Sequence, residues 1–321
     1  MVIGIVIILR VPMAAPGLFF LLLLNMPETT VLIPSYNGAK YIQSALQSVL
    51  SQKYTDYEIL IIDDGSTDNT EELVKTLDNK RIRYYKNESN MGIVASLNRG
   101  LDLAKGKYIA RMDADDLMLG DRLQSQVDFL EKNKNYGMVG CWYHTIDENG
   151  WIIHTRKTLT DHDTLRMSLI FRNQFAHSSV TMRTEIARKL RYDPEFQYCE
   201  DHDLWIRFSE VCKVTNLSIL GLSYRWYSDN SCNRHQRDLK IRVLSLLSRE
   251  LEKLDIIHSV EELKLHAAIC FGLAGPFLSE AIKKEGLDQW ICKILNSPVL
   301  NKRYGAKWLN DFHKKINDLF F

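Results

Sequence analysis

The chain has almost no net charge and lacks the short motifs that mark several enzyme classes. Its 41 basic and 40 acidic side chains give a net charge of +1, which excludes a strongly basic nucleic-acid binder and a charged disordered tail. The 6 cysteines include no CxxC pair, which argues against a zinc site and a disulfide framework and fits a reducing cytoplasm. No G-x-G-x-x-G follows the first strand-like run and no P-loop lysine motif occurs, so a dinucleotide-dependent oxidoreductase and a P-loop NTPase are disfavoured.

The first 25 residues differ in composition from the rest of the chain. Residues 1–24 are almost wholly apolar and are interrupted by Arg10, Pro12 and Pro16. The run from residue 11 to residue 24 is too short to span a bilayer, and the basic n-region and clear cleavage site of a signal peptide are missing. Two interpretations stay open: an over-extended start with the working chain beginning at Met26, or a membrane anchor. The fold prediction therefore begins at residue 26.

Between residues 29 and 132, short apolar runs alternate with segments of helical periodicity. Strands are predicted at 31–33, 59–62, 81–85 and 108–112, and helices at 39–50, 66–77, 92–104 and 122–132. Helices of this length between strands predict a mostly parallel sheet with right-handed crossovers. Ligands of such sheets bind at the carboxyl ends of the strands.

The regular alternation of predicted strands and helices ends in the second part of the chain. Strands are predicted at 138–143, 151–155 and 178–182, and helices at 164–170 and 198–211. From about residue 237 the periodicity is helical, with helices predicted at 239–254 and 260–281. The predicted organisation is an apolar segment (1–25), an α/β domain (26–235) and a helical C-terminal extension (236–321).

Two of the predicted strands end in acidic side chains. Asp63 and Asp64 follow the second strand, and Asp113, Asp115 and Asp116 follow the fourth. Because the carboxyl ends of parallel strands meet at one edge of a sheet, we expect these acids to lie together. Carboxylates are the ligands that hard divalent cations prefer. The pattern predicts a nucleotide and its metal at this edge.

Four segments give the chain a resemblance to a known family. They are Pro34-Ser35-Tyr36-Asn37, Asp63-Asp64-Gly65-Ser66-Thr67-Asp68, Arg111-Met112-Asp113-Ala114-Asp115-Asp116 and Glu200-Asp201-His202-Asp203-Leu204-Trp205-Ile206-Arg207. Over about residues 29–232 the chain resembles the family 2 glycosyltransferases, inverting enzymes of bacterial surface-polysaccharide synthesis. The resemblance implies the GT-A fold of nucleotide-diphospho-sugar transferases, an α/β fold with a mostly parallel central sheet flanked by helices.

The resemblance implies a donor site at the acidic edge. The donor- and nucleotide-binding candidates are Pro34, Tyr36, Asn37, Asp63, Asn90, Arg111 and Asp113. Asp63 resembles the acid that accepts a hydrogen bond from the uracil ring, with a purely structural strand–turn–helix acid as the alternative. For Asn90 the alternative is a plain capping turn. Asp115 is expected to be the main ligand of Mg²⁺ or Mn²⁺, which stabilises charge on the departing nucleoside diphosphate.

The resemblance also implies an acceptor site. Asp201 is the expected general base, taking the proton from the acceptor hydroxyl, and the alternative is a solvated helix N-terminus. Candidates for contacts with the acceptor or the diphosphate are His177, Glu200 and Arg225. For His177 the alternative is a core histidine with its hydrogen bonds satisfied inside the protein. Tyr227 stands where many relatives carry a histidine that contacts the diphosphate or metal. Either the Asp-x-Asp and water hold the metal alone, or His235 substitutes.

The function implied is a hexosyltransferase that moves a sugar from a UDP-type donor to a hydroxyl of a glycan or lipid-linked glycan by direct displacement. We expect a cytoplasmic enzyme, peripheral at the inner face of the membrane, with no nucleic-acid partner. Aromatic and basic side chains of residues 290–321 offer a membrane surface, with core packing as the alternative. Two rival functions remain: a catalytically silent nucleotide-sugar-binding subunit of an envelope-polysaccharide assembly, and a nucleotidyltransferase, for which the loop after the first strand is a poor match.

Overall fold

The computed structural model describes residues 26–227, 235–271 and 284–320, and within them nine strands form one mixed sheet. The strands are β1 (Thr29–Ser35), β2 (Tyr57–Asp63), β3 (Ile82–Lys86), β4 (Tyr108–Arg111), β5 (Leu117–Met118), β6 (Tyr136–Ile146), β7 (Ile152–Arg156), β8 (Thr181–Arg183) and β9 (Lys213–Arg225). Their order in the sheet is β3-β2-β1-β4-β8-β6-β9-β5, and β7 pairs with β6.

Helices cover both faces of this sheet and continue beyond it. They are α1 (Ile42–Leu50), α2 (Thr70–Lys75), α3 (Ile93–Leu103), α4 (Arg122–Lys132), α5 (His162–Ser168), α6 (Thr184–Leu190), α7 (Glu200–Val211), α8 (Gln236–Lys253), α9 (Val260–Phe271), α10 (Lys284–Leu295), α11 (Pro298–Tyr304) and α12 (Ala306–Phe320). This α/β architecture, with helices at the C-terminal end, is the one that the sequence predicts.

The parallel half of the sheet follows the prediction. β1 pairs in parallel with β2 and β4, and β2 pairs in parallel with β3. Alternate side chains enter two cores: Leu32 packs on the α3 side, and Val31 packs on the α1 side. Every residue of β1 and β2 is buried as a result. The register sets Ser35 beside Asp63, so the carboxyl ends of the two strands are level.

Two predicted boundaries are wrong at the loops that follow β1 and β2. β1 does not end at Pro34 but continues to Ser35, because β4 pairs with β1 only as far as Leu32 and the missing N–H of proline costs no ladder bond. The second helix begins at Thr70 instead of residue 66. Ser66 accepts a hydrogen bond from the Asn37 backbone (2.8 Å) and is held against the neighbouring loop.

The second half of the sheet is mostly antiparallel and contains strands that the sequence did not predict. β4, β8 and β6 pair in antiparallel order, and a 3₁₀ turn at His177–Ser179 precedes β8. β9 was not predicted; it pairs in parallel with β6 along its whole length. Its path brings Arg225 back to the end of β4. The short β5 and helix α6 were also missed.

The C-terminal helices pack on the α5 region. Met167 and Phe171 share a core with Trp290 and Phe312, which are 2% and 3% exposed. For these two aromatics, core packing is correct and a membrane surface is not. The predicted helix 260–281 is confirmed to Phe271, and its remainder lies outside the described residues. No helix in the described part of the chain is long and apolar enough to cross a membrane.

Arg122 is a fully buried arginine that fastens α4 to the sheet. Its Nη1 donates to the carbonyl of Ser178 (2.6 Å). Its Nη2 donates to the carbonyls of Arg111 (2.9 Å) and Val180 (3.1 Å). One guanidinium therefore satisfies backbone acceptors at the end of β4 and at the approach to β8, which positions the segment that carries the acids.

Replacing Arg122 with lysine should destabilise the protein, because a single ammonium group cannot reach all three carbonyls. We expect Arg122→Lys to lower the free energy of unfolding by about 2–4 kcal/mol in urea denaturation. Arg191→Lys alters an exposed ion pair with Asp102 and serves as the control, with an expected change below about 0.5 kcal/mol. An Arg122→Lys protein as stable as the unchanged one would contradict this role.

Candidate active site

Three carboxylates crowd together directly after β4. The carboxylate oxygens of Asp113, Asp115 and Asp116 lie within 4.8 Å of one another. Asp116 is fully buried. Burial and repulsion from Asp113 raise the pKa of Asp115 to about 6, and burial and repulsion from Asp115 raise the pKa of Asp116 well above its ordinary value. The cluster concentrates negative charge where the sequence predicted it.

The chemistry of this cluster fits a divalent cation. Oδ2 of Asp116 is buried and accepts no hydrogen bond from the described residues. An unpartnered buried carboxylate oxygen is costly in a ligand-free protein, and a hard cation with oxygen ligands would remove that cost. The donor set is all oxygen, which suits Mg²⁺ or Mn²⁺.

Arg111 and Ser178 hold Asp113 in place. Nη1 of Arg111 lies 2.5 Å from Oδ2 of Asp113 and donates to Oγ of Ser178 (2.8 Å). The Asp113 backbone N–H donates to the same hydroxyl (2.7 Å). Arg111 was predicted to bind the donor. Its side chain is 3% exposed and positions Asp113 from behind.

Arg225 supports the acidic segment from the other side. Its Nε donates to the Asp115 carbonyl (2.8 Å), its backbone N–H to Oδ1 of Asp116 (2.8 Å), and its Nη1 to the carbonyl of Asp147 (3.0 Å). The guanidinium also lies 4.4 Å from the centre of the Tyr41 ring. Arg225 was predicted as a diphosphate candidate, and these contacts give it a structural role beneath the cluster.

Tyr227 contacts Asp115 directly. Its hydroxyl donates to Oδ2 of Asp115 (2.9 Å), and its ring lies 5.8 Å from that of Tyr41. His235, considered above as a replacement for the family histidine, stacks on Tyr198 with ring centroids 4.4 Å apart. Tyr227, which replaces the family histidine, therefore contacts the predicted metal ligand Asp115 itself.

The loop after β1 is fastened to the loop after β2. Oδ1 of Asn37 accepts a hydrogen bond from the Thr67 backbone (2.9 Å), and Tyr36 beside it is 48% exposed. Asp63 is fully buried, and its carboxylate already accepts hydrogen bonds from the Ser66 backbone (2.6 Å) and the Tyr84 hydroxyl. The buried Asp63 carboxylate thus has hydrogen-bond partners within the chain and does not need a nucleotide to supply one.

Asp64, predicted only as one of the strand-end acids, organises the loop around Asn90. Its carboxylate accepts hydrogen bonds from the backbone N–H groups of Met91 (3.0 Å) and Gly92 (2.8 Å) and from the Asn87 side chain (2.7 Å). Gly65 has φ +78° and passes so close to the Ser89 backbone that a Cβ would lie 2.7 Å from it. Asp64 thus holds the predicted donor loop against the tip of β2.

The acceptor-side candidates meet at the start of α7. Nδ2 of Asn173 donates to Oδ2 of Asp201 (2.7 Å), and burial raises the pKa of Asp201. Glu200 is 7% exposed, and burial followed by repulsion from Asp201 raises its pKa to about 7. His177 lies 3.9 Å from Glu200 and contacts the Tyr192 hydroxyl (2.9 Å), with its pKa lowered by burial and by Arg111.

Only part of the acidic motif of α7 belongs to the candidate site. Asp203 is fully buried, pairs with Arg207 and lies 2.7 Å from Arg249 of α8. Nε2 of His202 contacts the Leu169 carbonyl (2.7 Å). Sequence reasoning missed the roles of Ser178, which contacts Asp113, and Tyr192, which contacts His177. Ser178 follows the predicted His177 directly, whereas no motif marks Tyr192.

A separate cavity of about 470 Å³ lies at the opposite end of the sheet. It is lined by Met26 and Glu28 before β1, Lys105 and Lys107 before β4, and residues of α6. Its charges are of both signs, and it is far along β1 and β4 from the acidic cluster. The candidate site is therefore the carboxyl edge of the sheet.

Comparisons with known proteins agree with this geometry. The family model described as "Glycosyl transferase family 2" matches residues 30–194. The chain belongs to this family. It is 31% identical over 228 residues to an uncharacterized glycosyltransferase of Haemophilus influenzae, covering 67% of this chain and 70% of that protein. This family membership confirms the prediction from the sequence that the protein is a glycosyltransferase.

Solved structures share the predicted GT-A fold with this chain at low sequence identity. S. aureus TarS residues 1–349, in complexes with UDP and with UDP-GlcNAc, matches with a TM-score of 0.58 at 18% identity, over 91% of this chain and 90% of that one. The mannosyltransferase PcManGT from Pyrobaculum calidifontis, in complex with GDP-Man and Mn²⁺, matches with a TM-score of 0.53 at 16% identity, over 91% and 87%.

Removing one carboxylate from the cluster should stabilise this glycosyltransferase when metal is absent. The raised pKa of Asp115 means that its ionised form destabilises the folded state, a cost that is absent at low pH and complete above the folded value of about 6. Asp115→Asn should raise the Tm by about 2 °C or more at about pH 8 in a chelator, and by less at about pH 4. Differential scanning calorimetry measures this.

The exposed Asp163 provides the control for this prediction. Asp163→Asn removes the same charge from the surface and should not raise the Tm. An Asp115→Asn protein that is less stable than the unchanged one at both pH values would contradict the crowding of charge at this site.

Proposed function

We propose that this protein transfers a sugar, with inversion, from a UDP-sugar to a hydroxyl of a glycan or lipid-linked glycan. One observation carries the proposal: the 3₁₀ turn at His177–Ser179 contacts both the acids after β4 and the acids that open α7. Ser178 contacts Asp113, and its neighbour His177 lies 3.9 Å from Glu200, the residue before Asp201. A donor held at the first group would have its anomeric carbon toward the second.

Asp201 is the base in this proposal. Its pKa is raised by burial, which makes its carboxylate a stronger base than an exposed aspartate. Asn173 donates a hydrogen bond to one carboxylate oxygen and fixes its direction. The acceptor oxygen attacks the anomeric carbon and gives its proton to Asp201. The bond from that carbon to the phosphate oxygen breaks, and the electron pair leaves with the nucleoside diphosphate.

The donor-side residues of the proposal bind and orient the nucleotide sugar. Tyr36 and Asn37 would contact the base, with Asp63 and Pro34 beneath them and Asn90 at the edge of the donor loop. A divalent cation held by Asp115, with Asp113 beside it, would neutralise the charge on the diphosphate. The choice of UDP is supported by TarS, whose structures contain UDP and UDP-GlcNAc.

UDP binding should therefore depend on a divalent cation and on Asp115. In calorimetric titrations of the full chain, we expect Mn²⁺ to tighten UDP binding by more than about tenfold, and Asp115→Asn to remove that gain. A divalent cation held by the Asp115 carboxylate would offset the charge of the nucleotide phosphates, and an amide would hold that cation poorly. Asp163→Asn should bind as the unchanged protein does.

A pair of neighbouring tyrosines sharpens this test. Tyr227→Phe removes the hydroxyl that orients Asp115 and should weaken the Mn²⁺-dependent binding several-fold, as loss of such supporting contacts does. Tyr41→Phe keeps the paired ring and should have little effect. Equal UDP affinity with and without Mn²⁺ would count against the metal. No UDP binding under either condition would sink the UDP assignment.

The base assignment predicts a specific pH dependence. Asp201→Asn should lower kcat by about 10²–10⁴-fold and leave the donor KM nearly unchanged. Asn173→Ala removes a hydrogen bond that lowers the pKa of Asp201, so the acid limb of kcat/KM should move to higher pH. Rates are measured as UDP release from an accepted UDP-sugar. An Asp201→Asn enzyme with normal kcat excludes Asp201 as the base.

A further inference from the structure

The hairpin of β6 and β7 exposes a run of large apolar side chains. Trp151, Ile152 and Ile153 are 73%, 58% and 55% exposed. All five residues of β7 are exposed, and the cations Arg156 and Lys157 at its end are exposed as well. The name hairpin surface is used below for Trp151, Ile152, Ile153, Arg156 and Lys157. It differs from Trp290 and Phe312 of the C-terminal helices, which are buried.

The apolar residues of the hairpin surface lie beside an irregularity in the pairing of β6 with β7. Ile146 pairs with Ile152 and Thr145 with His154, so Ile153 is an extra residue in β7. Among the described strands, β7 pairs with β6 alone. A second copy pairing with this irregular free edge would satisfy the backbone but would not bury the apolar side chains. The boundary between lipid headgroups and acyl chains buries such side chains whichever way they point.

The charges around the hairpin fit an anionic surface. The two acids of the turn are engaged within the chain: Glu148 pairs with Lys40 (2.9 Å), and Asp147 accepts hydrogen bonds from the Trp151 backbone (2.8 Å) and from that of Asn149 (2.9 Å). Arg156 and Lys157 therefore dominate the exposed end of β7. Basic side chains beside an apolar group attract anionic headgroups, and tryptophan favours the membrane interface.

The hairpin is attached to the candidate active site. Arg225 donates to the carbonyls of Asp147 (3.0 Å) and Glu148 (2.9 Å) and to the carbonyl of Asp115 (2.8 Å). β6 runs in the same direction as β1, because β4 and β6 are both antiparallel to β8. The turn is thus at the same end of the sheet as the acids, whereas Met26 is at the opposite end.

We propose that the hairpin surface docks on an anionic lipid bilayer and brings the active site to a lipid-linked acceptor. The acceptor class rests on the proposed function, whereas docking is measured without catalysis. Binding needs no change in the fold, because Arg225 already joins the hairpin to the acidic segment.

Sedimentation of the full chain with vesicles tests this proposal. We expect binding to vesicles of equal parts phosphatidylcholine and phosphatidylglycerol, with weaker binding to phosphatidylcholine alone. Trp151→Ser with Ile153→Ser and, separately, Ile152→Ser each remove part of the apolar run; these are the apolar variants. Each variant should weaken partitioning by at least about fivefold, because a buried side chain of this size contributes about that much or more. Arg156→Gln with Lys157→Gln should reduce binding only to the anionic vesicles.

Ile257 supplies a matched control. It is 88% exposed and lies in the loop between α8 and α9, outside the hairpin surface. Ile257→Ser removes the same apolar side chain and should leave partitioning within about twofold of the unchanged protein. Far-ultraviolet circular dichroism confirms that each variant is folded, which is expected because every substituted side chain is exposed.

Three outcomes would overturn the proposal. The first is absence of vesicle binding, and the second is equal binding by the unchanged protein and both apolar variants. The third is a concentration-dependent dimer that the same variants abolish, which would assign the surface to a second copy. Metal-dependent UDP binding is measured on the same proteins. If UDP binding stays intact while the apolar variants bind vesicles normally, the docking proposal fails alone; if UDP binding is absent from the unchanged protein, the proposed function fails separately.

Discussion

The crowding of three carboxylates after β4 is the constraint on which the rest of the site depends. Asp113, Asp115 and Asp116 lie within 4.8 Å of one another, and their mutual repulsion must be offset for the segment to keep its shape. The buried Arg111 pairs with Asp113. Arg225 donates a hydrogen bond from its side chain to the Asp115 carbonyl and another from its backbone N–H to the Asp116 carboxylate. These contacts hold the acids in place but leave their charge incompletely balanced, which is the state that a divalent cation would complete.

A short turn joins the acids after β4 to the acids that open α7. In the 3₁₀ turn at His177–Ser179, Ser178 contacts Asp113, and His177 lies beside Glu200 at the start of α7. The Tyr192 hydroxyl contacts the same histidine. The proposed displacement needs leaving group and base on opposite sides of one carbon, and two acidic groups separated by a short turn are compatible with that requirement.

The sequence predicted most of what local patterns can encode. Strand-end acids, helical periodicity and the four motifs identified the parallel half of the sheet and the acids that follow β4. What the sequence missed depends on long-range pairing. β9 contains breaks in register against β6 that blur its alternation. Tyr227 meets Asp115, 112 residues earlier in the chain, because β9 pairs with β5, the short strand that follows the acids. The separate partners of Asp63 and Asp64 likewise follow from which way each side chain leaves the strand end.

The central claim is that the acids after β4 bind the metal and diphosphate of the donor. Anomalous scattering from Mn²⁺ in crystals grown with UDP tests it most directly. We expect one strong Mn²⁺ peak next to the Asp115 carboxylate, with the UDP phosphates beside the ion and the uracil beside Asp63 and Asn37. Ordered UDP and Mn²⁺ at another place, such as the cavity at the opposite end of the sheet, would show that the acids after β4 are not the donor site.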